Sequence, residues 1–150
     1  MSVPFSILLI DDDTDDAILF EEILLDMDFN CSFQWARDGK EAIDVLEQMK
    51  IFPNVIFLDL NMPRINGKEC LSYIKTSSAL REIPVIIYTT SSHPMDIEET
   101  LQLGASAFIT KPSDVKDLVK IIQAIVEGLP IELNKSITSL SMELKKYVVI

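Results

Sequence analysis

The chain has 150 residues, with 24 acidic side chains against 13 basic ones and a formal charge of −11. At this length one domain is expected, able to bury about 70% of its unfolded surface and to build a core without disulfide or metal staples. A composition of 48% hydrophobic and 25% charged residues excludes a disordered chain, and the acidic balance excludes nucleic acid, which needs a basic face.

No apolar stretch approaches the ~20 residues of a membrane span. The first residues lack the basic-then-apolar pattern of a secretory signal. The expectation is a cytoplasmic protein with neither a membrane nor a nucleic acid as partner. Cys31 and Cys70 are too few for a disulfide framework and lack metal-ligand spacing, so both read as small, reduced, packed thiols. His93 is the single histidine, which leaves histidine-based zinc sites and Ser-His-Asp triads little to rest on.

In chain order, an apolar run at residues 6–10 (SILLI) leads straight into Asp11, Asp12, Asp13, Thr14, Asp15 and Asp16. Further short runs, rich in β-branched or aromatic residues, lie at 31–36, 54–58, 83–88 and 107–110. They lack polar alternation and predict strands covered on both faces. Between them, Ala42, Val45, Leu46 and Met49 recur at helical spacing, as do Val115, Leu118, Val119, Ile122, Ile125 and Val126. Asp38 three residues before Glu41, and Asn66 three before Glu69, predict helix starts, while Gly104 and Gly128 predict helix ends. Met62, Pro63 and Gly67 are expected to shape the loop after the third strand, Gly67 by adopting a positive φ. Trp35 and Tyr73 read as packing residues. Five strand–helix units predict an α/β fold: a doubly wound parallel sheet whose ligands bind beyond the carboxyl ends of its strands.

After Gly128 the pattern changes. Leu133, Ile137, Leu140, Leu144 and Tyr147 form one helical stripe. The chain therefore divides into a globular domain at 1–128 and an amphipathic, helical extension at 129–150. That extension either packs on its own domain or offers a face to a second copy or another partner. It is too short and too weakly basic for a DNA-binding output module, so output by protein contact is expected.

The charge is concentrated. Residues 1–30 hold nine carboxylates and no Lys or Arg. Three chemistries could use the acidic cluster. A calcium loop would take Asp11, Asp13, Asp15, Ile18 and Glu22, but Asp16 stands where the sharp turn needs Gly, and a strand precedes it. A haloacid-dehalogenase-type phosphatase would use Asp11 and Asp13 in a D-x-D-T pattern, but the later strands supply no paired-aspartate motif. The third joins residues from different strand ends: Asp11 and Asp12, Asp59 in VIFLDLNMP, Thr89 and Thr90, and Lys111 before Pro112. In a parallel sheet all of these emerge at one edge. There, carboxylates can hold Mg²⁺, a carboxylate can accept a phosphoryl group, and a Lys can neutralise the transferred charge.

The acidic pair, LDLNMP, TTSS and ITKP together make the sequence resemble a receiver domain of the two-component response regulators, over residues 5–127. It is most similar to stand-alone CheY-like receivers, including those paired with bacterial phytochrome kinases, which share the DDxxDD, PR…G and TTS wording. The resemblance implies a flavodoxin-like sheet of order 2-1-3-4-5. It implies Asp59 as phosphoacceptor, and Asp11, Asp12, Asp59 and the Asn61 backbone carbonyl as the Mg²⁺ set, with Asp12 the more direct ligand. Lys111 would pair with phosphoryl oxygens, before a bond to Pro112 that is often cis in the family. Thr89 would hydrogen-bond the phosphoryl group, and Phe108 would hold the aromatic switch position, where it can repack but cannot exchange a hydroxyl bond. Asn61 and Ser91 occupy positions that tune phosphoryl lifetime.

The implied function is a phosphorylation-dependent switch. A sensor histidine kinase or phosphotransfer protein donates to Asp59, and an altered surface engages a downstream protein or a second copy. The only chemistry is the protein's own phosphorylation and dephosphorylation. A non-phosphorylated pseudo-receiver acting as a binding module is the alternative of another class. Asp13, Asp15 and Asp16 would serve the start of the first helix, and Glu21, Glu22, Asp26 and Asp28 would make an acidic docking face for a basic partner.

Overall fold

Short apolar runs become strands because β-branched side chains pack well on both faces of a buried sheet, and amphipathic stretches fold back over it as helices. The computed structural model describes residues 5–27 and 30–150. In order come β1 (Phe5–Ile10), α1 (Thr14–Asp26), β2 (Cys31–Ala36), α2 (Gly39–Gln48), β3 (Val55–Leu58) and α3 (Gly67–Thr76). They continue with β4 (Val85–Thr89), α4 (Pro94–Gln102), β5 (Ala107–Thr110), α5 (Val115–Gly128), α6 (Leu133–Glu143) and β6 (Val148–Val149). The sheet order is β2-β1-β3-β4-β5-β6. The first five strands pair in parallel, and β6 runs antiparallel to β5. The expected doubly wound 2-1-3-4-5 sheet is present, with one edge strand added.

Helix starts follow the local signals. Asp38 Oδ1 accepts from the Glu41 N–H at 2.8 Å, and Asn66 and Glu69 form a reciprocal capping box. Asp13 caps α1 through the Asp16 N–H at 3.1 Å, and caps of this kind contribute about 1 kcal/mol each. Because α1 begins at Thr14, Asp15 and Glu22 lie on a helix and cannot wrap a calcium ion.

Alternate strand residues face opposite sides, which splits the core in two. Ile7, Leu9, Phe57, Ile86 and Ile109 join α1 and α5 on one face. Leu8, Ile10, Leu58, Ile87 and Phe108 join α2 and α3 on the other. On the first face Phe20, Phe57 and Tyr88 meet edge-on, with centroids 4.9 to 6.1 Å apart, the arrangement that ring quadrupoles favour.

Several expectations are corrected. β2 is not covered on both faces: it is the sheet edge, and Ser32 and Gln34 alternate outward. Ile83 and Pro84 precede β4 because Pro84 has no N–H to give the ladder, although its carbonyl accepts from Ile56 at 2.9 Å. Gly67 does not adopt a positive φ; Arg64 (65°) and Gly104 (107°) do. Gly67 is needed for a different reason: a Cβ there would lie 2.2 Å from the Asp59 carbonyl oxygen. The Lys111–Pro112 bond is trans, and the cis bond among the described residues is Leu129–Pro130.

The helical stripe after Gly128 is also shorter than its spacing suggests. Leu133, Ile137 and Leu140 are buried on the α1–α5 face. The helix stops at Glu143, and Tyr147 leads into β6, with its carbonyl accepting from Thr110 N–H at 2.9 Å. Val149 pairs with Phe108, and Val148 with Ile109. The extension therefore packs on its own domain through both a helix and a strand.

Candidate functional site

In this sheet α1 covers one face and α2 the other, so the chain diverges at the carboxyl ends of β1 and β3 and leaves a crevice there. Ile10 pairs with Leu58, which places Asp11 and Asp59 side by side, one residue beyond each strand. The Asp59 N–H donates to the Ile10 carbonyl at 2.9 Å, and the Asp11 N–H to the Ala36 carbonyl at 3.1 Å. Carboxylate oxygens of Asp11, Asp12 and Asp59 all lie within 4.8 Å of one another. Asp11 and Asp59 are buried and Asp12 is exposed. Asn61 is exposed two residues past Asp59, and its N–H pulls the Asp59 carboxyl pKa down.

Lys111 closes the far side. Its N–H donates to the Thr89 carbonyl at 2.7 Å, continuing the β4–β5 ladder past Thr110. Its side chain, only 9% exposed, turns inward rather than into solvent, and Nζ lies 2.7 Å from both Asp11 Oδ2 and Asp16 Oδ2. The charge also lies 5.3 Å from the Tyr88 ring centroid. Burial alone would lower the Lys111 pKa, but its bonds to Asp11 and Asp16 hold it above the ordinary value.

Like charges and low dielectric strain this rim. Burial pushes the Asp11 carboxyl up to about 6, against the opposing pull of Lys111 and the Asp13 N–H. Burial also raises Asp59, with a further push from Asp12, while Lys111, the nearby Thr89 hydroxyl and the Asn61 N–H offset part of it. Thr89 Oγ1 is buried without a partner of hydrogen-bonding geometry. Three oxygen donors around one point, an unpartnered buried hydroxyl and an ammonium form a cradle for a hard cation and an added anionic group.

The chain matches the response regulator receiver domain family over residues 7–123. It belongs to that family. The receiver is 35% identical to the response regulator Rcp1 of Synechocystis over 127 residues, 81% of this chain and 86% of that protein. It is 34% identical to the probable methanogenesis regulatory protein FilR2 of Methanothrix harundinacea, with 83% of each chain covered. Among solved structures, the phosphorylated cyanobacterial phytochrome response regulator RcpA superposes with a TM-score of 0.78 at 32% identity, covering 84% of this chain and 94% of that one. The Mn²⁺-bound form of Rcp1 gives 0.76 at 35% identity, covering 86% and 96%. The protein is therefore a CheY-like receiver domain of two-component signalling, and no helix among its described residues is long and apolar enough to cross a membrane.

Within this receiver, Phe108 is fully buried on the α2–α3 face, across the sheet from Tyr88. Thr90 is exposed beside the rim. Ser91 Oγ donates to Asp96 Oδ2 at 2.6 Å, its carbonyl accepts from Thr110 Oγ1 at 3.1 Å, and Asp96 pairs with Lys68 of α3 at 2.8 Å. That network ties the loop after β4 to α3 and β5. Sequence reasoning missed it, along with two residues at the rim itself. Asp16 reads as a helix-start charge, yet it binds Lys111, 95 positions away. Trp35, expected only to pack, also donates from Nε1 to the Asp11 carbonyl at 2.7 Å. Neither contact has a local signal. Asp13, the other acid of the D-x-D-T pattern, is spent on the α1 cap and stands outside the three-carboxylate group. Of the acidic docking residues, Glu21, Glu22 and Asp26 are exposed on α1, and Asp28 lies outside the described residues.

Proposed function

We propose that this receiver accepts a phosphoryl group on Asp59 from a histidine kinase or phosphotransfer protein and thereby changes a protein-binding surface. The observation that carries this reading is the convergence of Asp11, Asp12 and Asp59 at one strand edge, beside Lys111 and an unpartnered Thr89 hydroxyl. The all-oxygen donor set suits Mg²⁺, held by Asp11, Asp12, Asp59 and the Asn61 carbonyl. When bound, the ion supplies neutralisation of the crowded carboxylates and of the incoming phosphoryl oxygens.

An Asp59 carboxylate oxygen attacks the phosphorus of the donor. The new O–P bond forms as the P–N bond of a phosphohistidine breaks, and the imidazole departs with that electron pair. Lys111 and the Thr89 hydroxyl stabilise the added oxygens. Thr89 Oγ1 makes no well-aligned hydrogen bond in the resting state, so the phosphoryl group offers it a better acceptor. Thr89 moves toward the added oxygens, Phe108 repacks, and the face of α4, β5 and α5 responds as a population shift. The phosphorylated relative RcpA and the Mn²⁺-bound relative Rcp1 support the reading.

Incubation with Mg²⁺ and acetyl phosphate, followed by intact-mass measurement, tests it. Wild type should gain one phosphoryl adduct, and Asp59→Asn should gain none. An unmodified wild type, or an undiminished adduct in Asp59→Asn, overturns the assignment and favours a pseudo-receiver.

A further inference from the structure

The Lys111 ammonium is turned away from the expected acceptor. Nζ donates to Asp16 Oδ2 at 2.7 Å and forms a second ion pair with Asp11 Oδ2, also at 2.7 Å, while no such ion pair joins it to Asp59. These two anchors differ in kind. Asp11 belongs to the three-carboxylate group, and Asp16 does not. Asp16 sits in the first turn of α1, where its own N–H is fixed by the Asp13 cap at 3.1 Å. A cation among the three carboxylates draws on Asp11 and leaves Asp16 as the lysine's remaining anchor.

We infer that Asp16 is a positioning residue: it holds Lys111 back from Asp59 until phosphoryl oxygens displace it. This inference rests on the phospho-accepting reading and deepens it. Two consequences of opposite sign follow. While Asp16 holds the ammonium, Lys111 interferes less with a cation at Asp11, Asp12 and Asp59. The same pair must break before Lys111 can serve the phosphoryl group, so it slows capture. Removing Asp16 should weaken cation binding and speed phosphorylation together. A damaged fold would depress both.

A double-mutant cycle of wild type, Asp16→Asn, Lys111→Gln and the double variant isolates the coupling. Trp35 fluorescence follows Mg²⁺ binding, because its indole N–H contacts the Asp11 carbonyl. Asp16→Asn should lower Mg²⁺ affinity about fivefold, a typical coupling between sites. At saturating Mg²⁺ the same variant should take a phosphoryl group from acetyl phosphate about threefold faster. In the Lys111→Gln background both effects should shrink below about twofold. Equal effects in the two backgrounds, or loss of both cation binding and phosphorylation in Asp16→Asn, overturn the inference. A wild type that binds Mg²⁺ but never takes a phosphoryl group overturns the phospho-accepting reading instead. The affinity cycle alone then upholds or overturns the anchoring of Lys111 by Asp16.

Discussion

The carboxyl rim of the sheet and the α5–α6–β6 corner are built on opposite terms. At the rim, Asp11 and Asp59 are buried beside Asp12, and burial holds both buried carboxyls above their ordinary pKa. At the corner, Leu133, Ile137, Leu140 and Val148 bury plain apolar surface against α5 and β5, each contributing about 2 kcal/mol. One region stores unfavourable electrostatics that a bound cation would relieve, and the other contributes stability without reference to a ligand. The apolar corner offsets the cost of the charged rim.

The sharpest way to break this contrast lies between the two kinds. Gly67→Ala would place a methyl group 2.2 Å from the Asp59 carbonyl oxygen and 2.5 Å from the Leu60 Cα. Since the obstruction is backbone, the cost should be about 3 kcal/mol or more, and the loop that begins at Asp59 should be displaced with it. Denaturant unfolding and adduct formation should both suffer; a variant normal in either would show that the loop yields easily.

Ile137→Ala probes the corner alone. The side chain is 3% exposed, so truncation should cost about 2–3 kcal/mol. The rate of phosphoryl uptake, measured well below the melting temperature, should be unchanged. A slowed uptake would mean that the corner and the rim are not separate.

The smallest effect concerns pH at the rim. Asp11 is raised from 3.8 to about 6 by burial, so the folded state binds its proton more tightly than the unfolded chain does. The resulting penalty is full above about pH 6 and is relieved as pH falls through 6 toward 3.8. Metal-free protein should therefore gain about 1 kcal/mol of stability between pH 7.5 and 5 from this group. Asp59, raised in the same direction, adds to it. With millimolar Mg²⁺ the slope should flatten or reverse, because protons then compete with a ligand of the folded state. Denaturation midpoints at both pH values, in chelator and in Mg²⁺, give the comparison. A metal-free protein more stable at pH 7.5 than at 5 would refute the account.

Much of this architecture is legible in the sequence because its signals are local. Apolar runs, the Asp38–Glu41 and Asn66–Glu69 spacings, and polar residues directly after strands all act within a few positions. Since parallel pairing then aligns strand ends, the gathering of Asp11, Asp59, Thr89 and Lys111 at one edge needs no further information. What escapes notice is tertiary. The edge position of β2 depends on where the chain crosses over, not on its own residues. Val148 and Val149 are too few to announce a strand, and form one only because β5 leaves an open edge beside them. The Lys111–Asp16 contact depends on how a flexible four-carbon stem chooses among carboxylates. Gly67 reads as a turn former, but its role is set by the path of Asp59 and Leu60 beneath it.

The two hydrophobic clusters share no side chain; the sheet stands between them as a common wall. Each face is therefore its own packing problem, and substitutions on one face leave the jigsaw on the other intact. Phe108 sits on the face that α6 does not touch, so a lineage can vary the Leu133, Ile137 and Leu140 layer while the compartment around Phe108 keeps its shape.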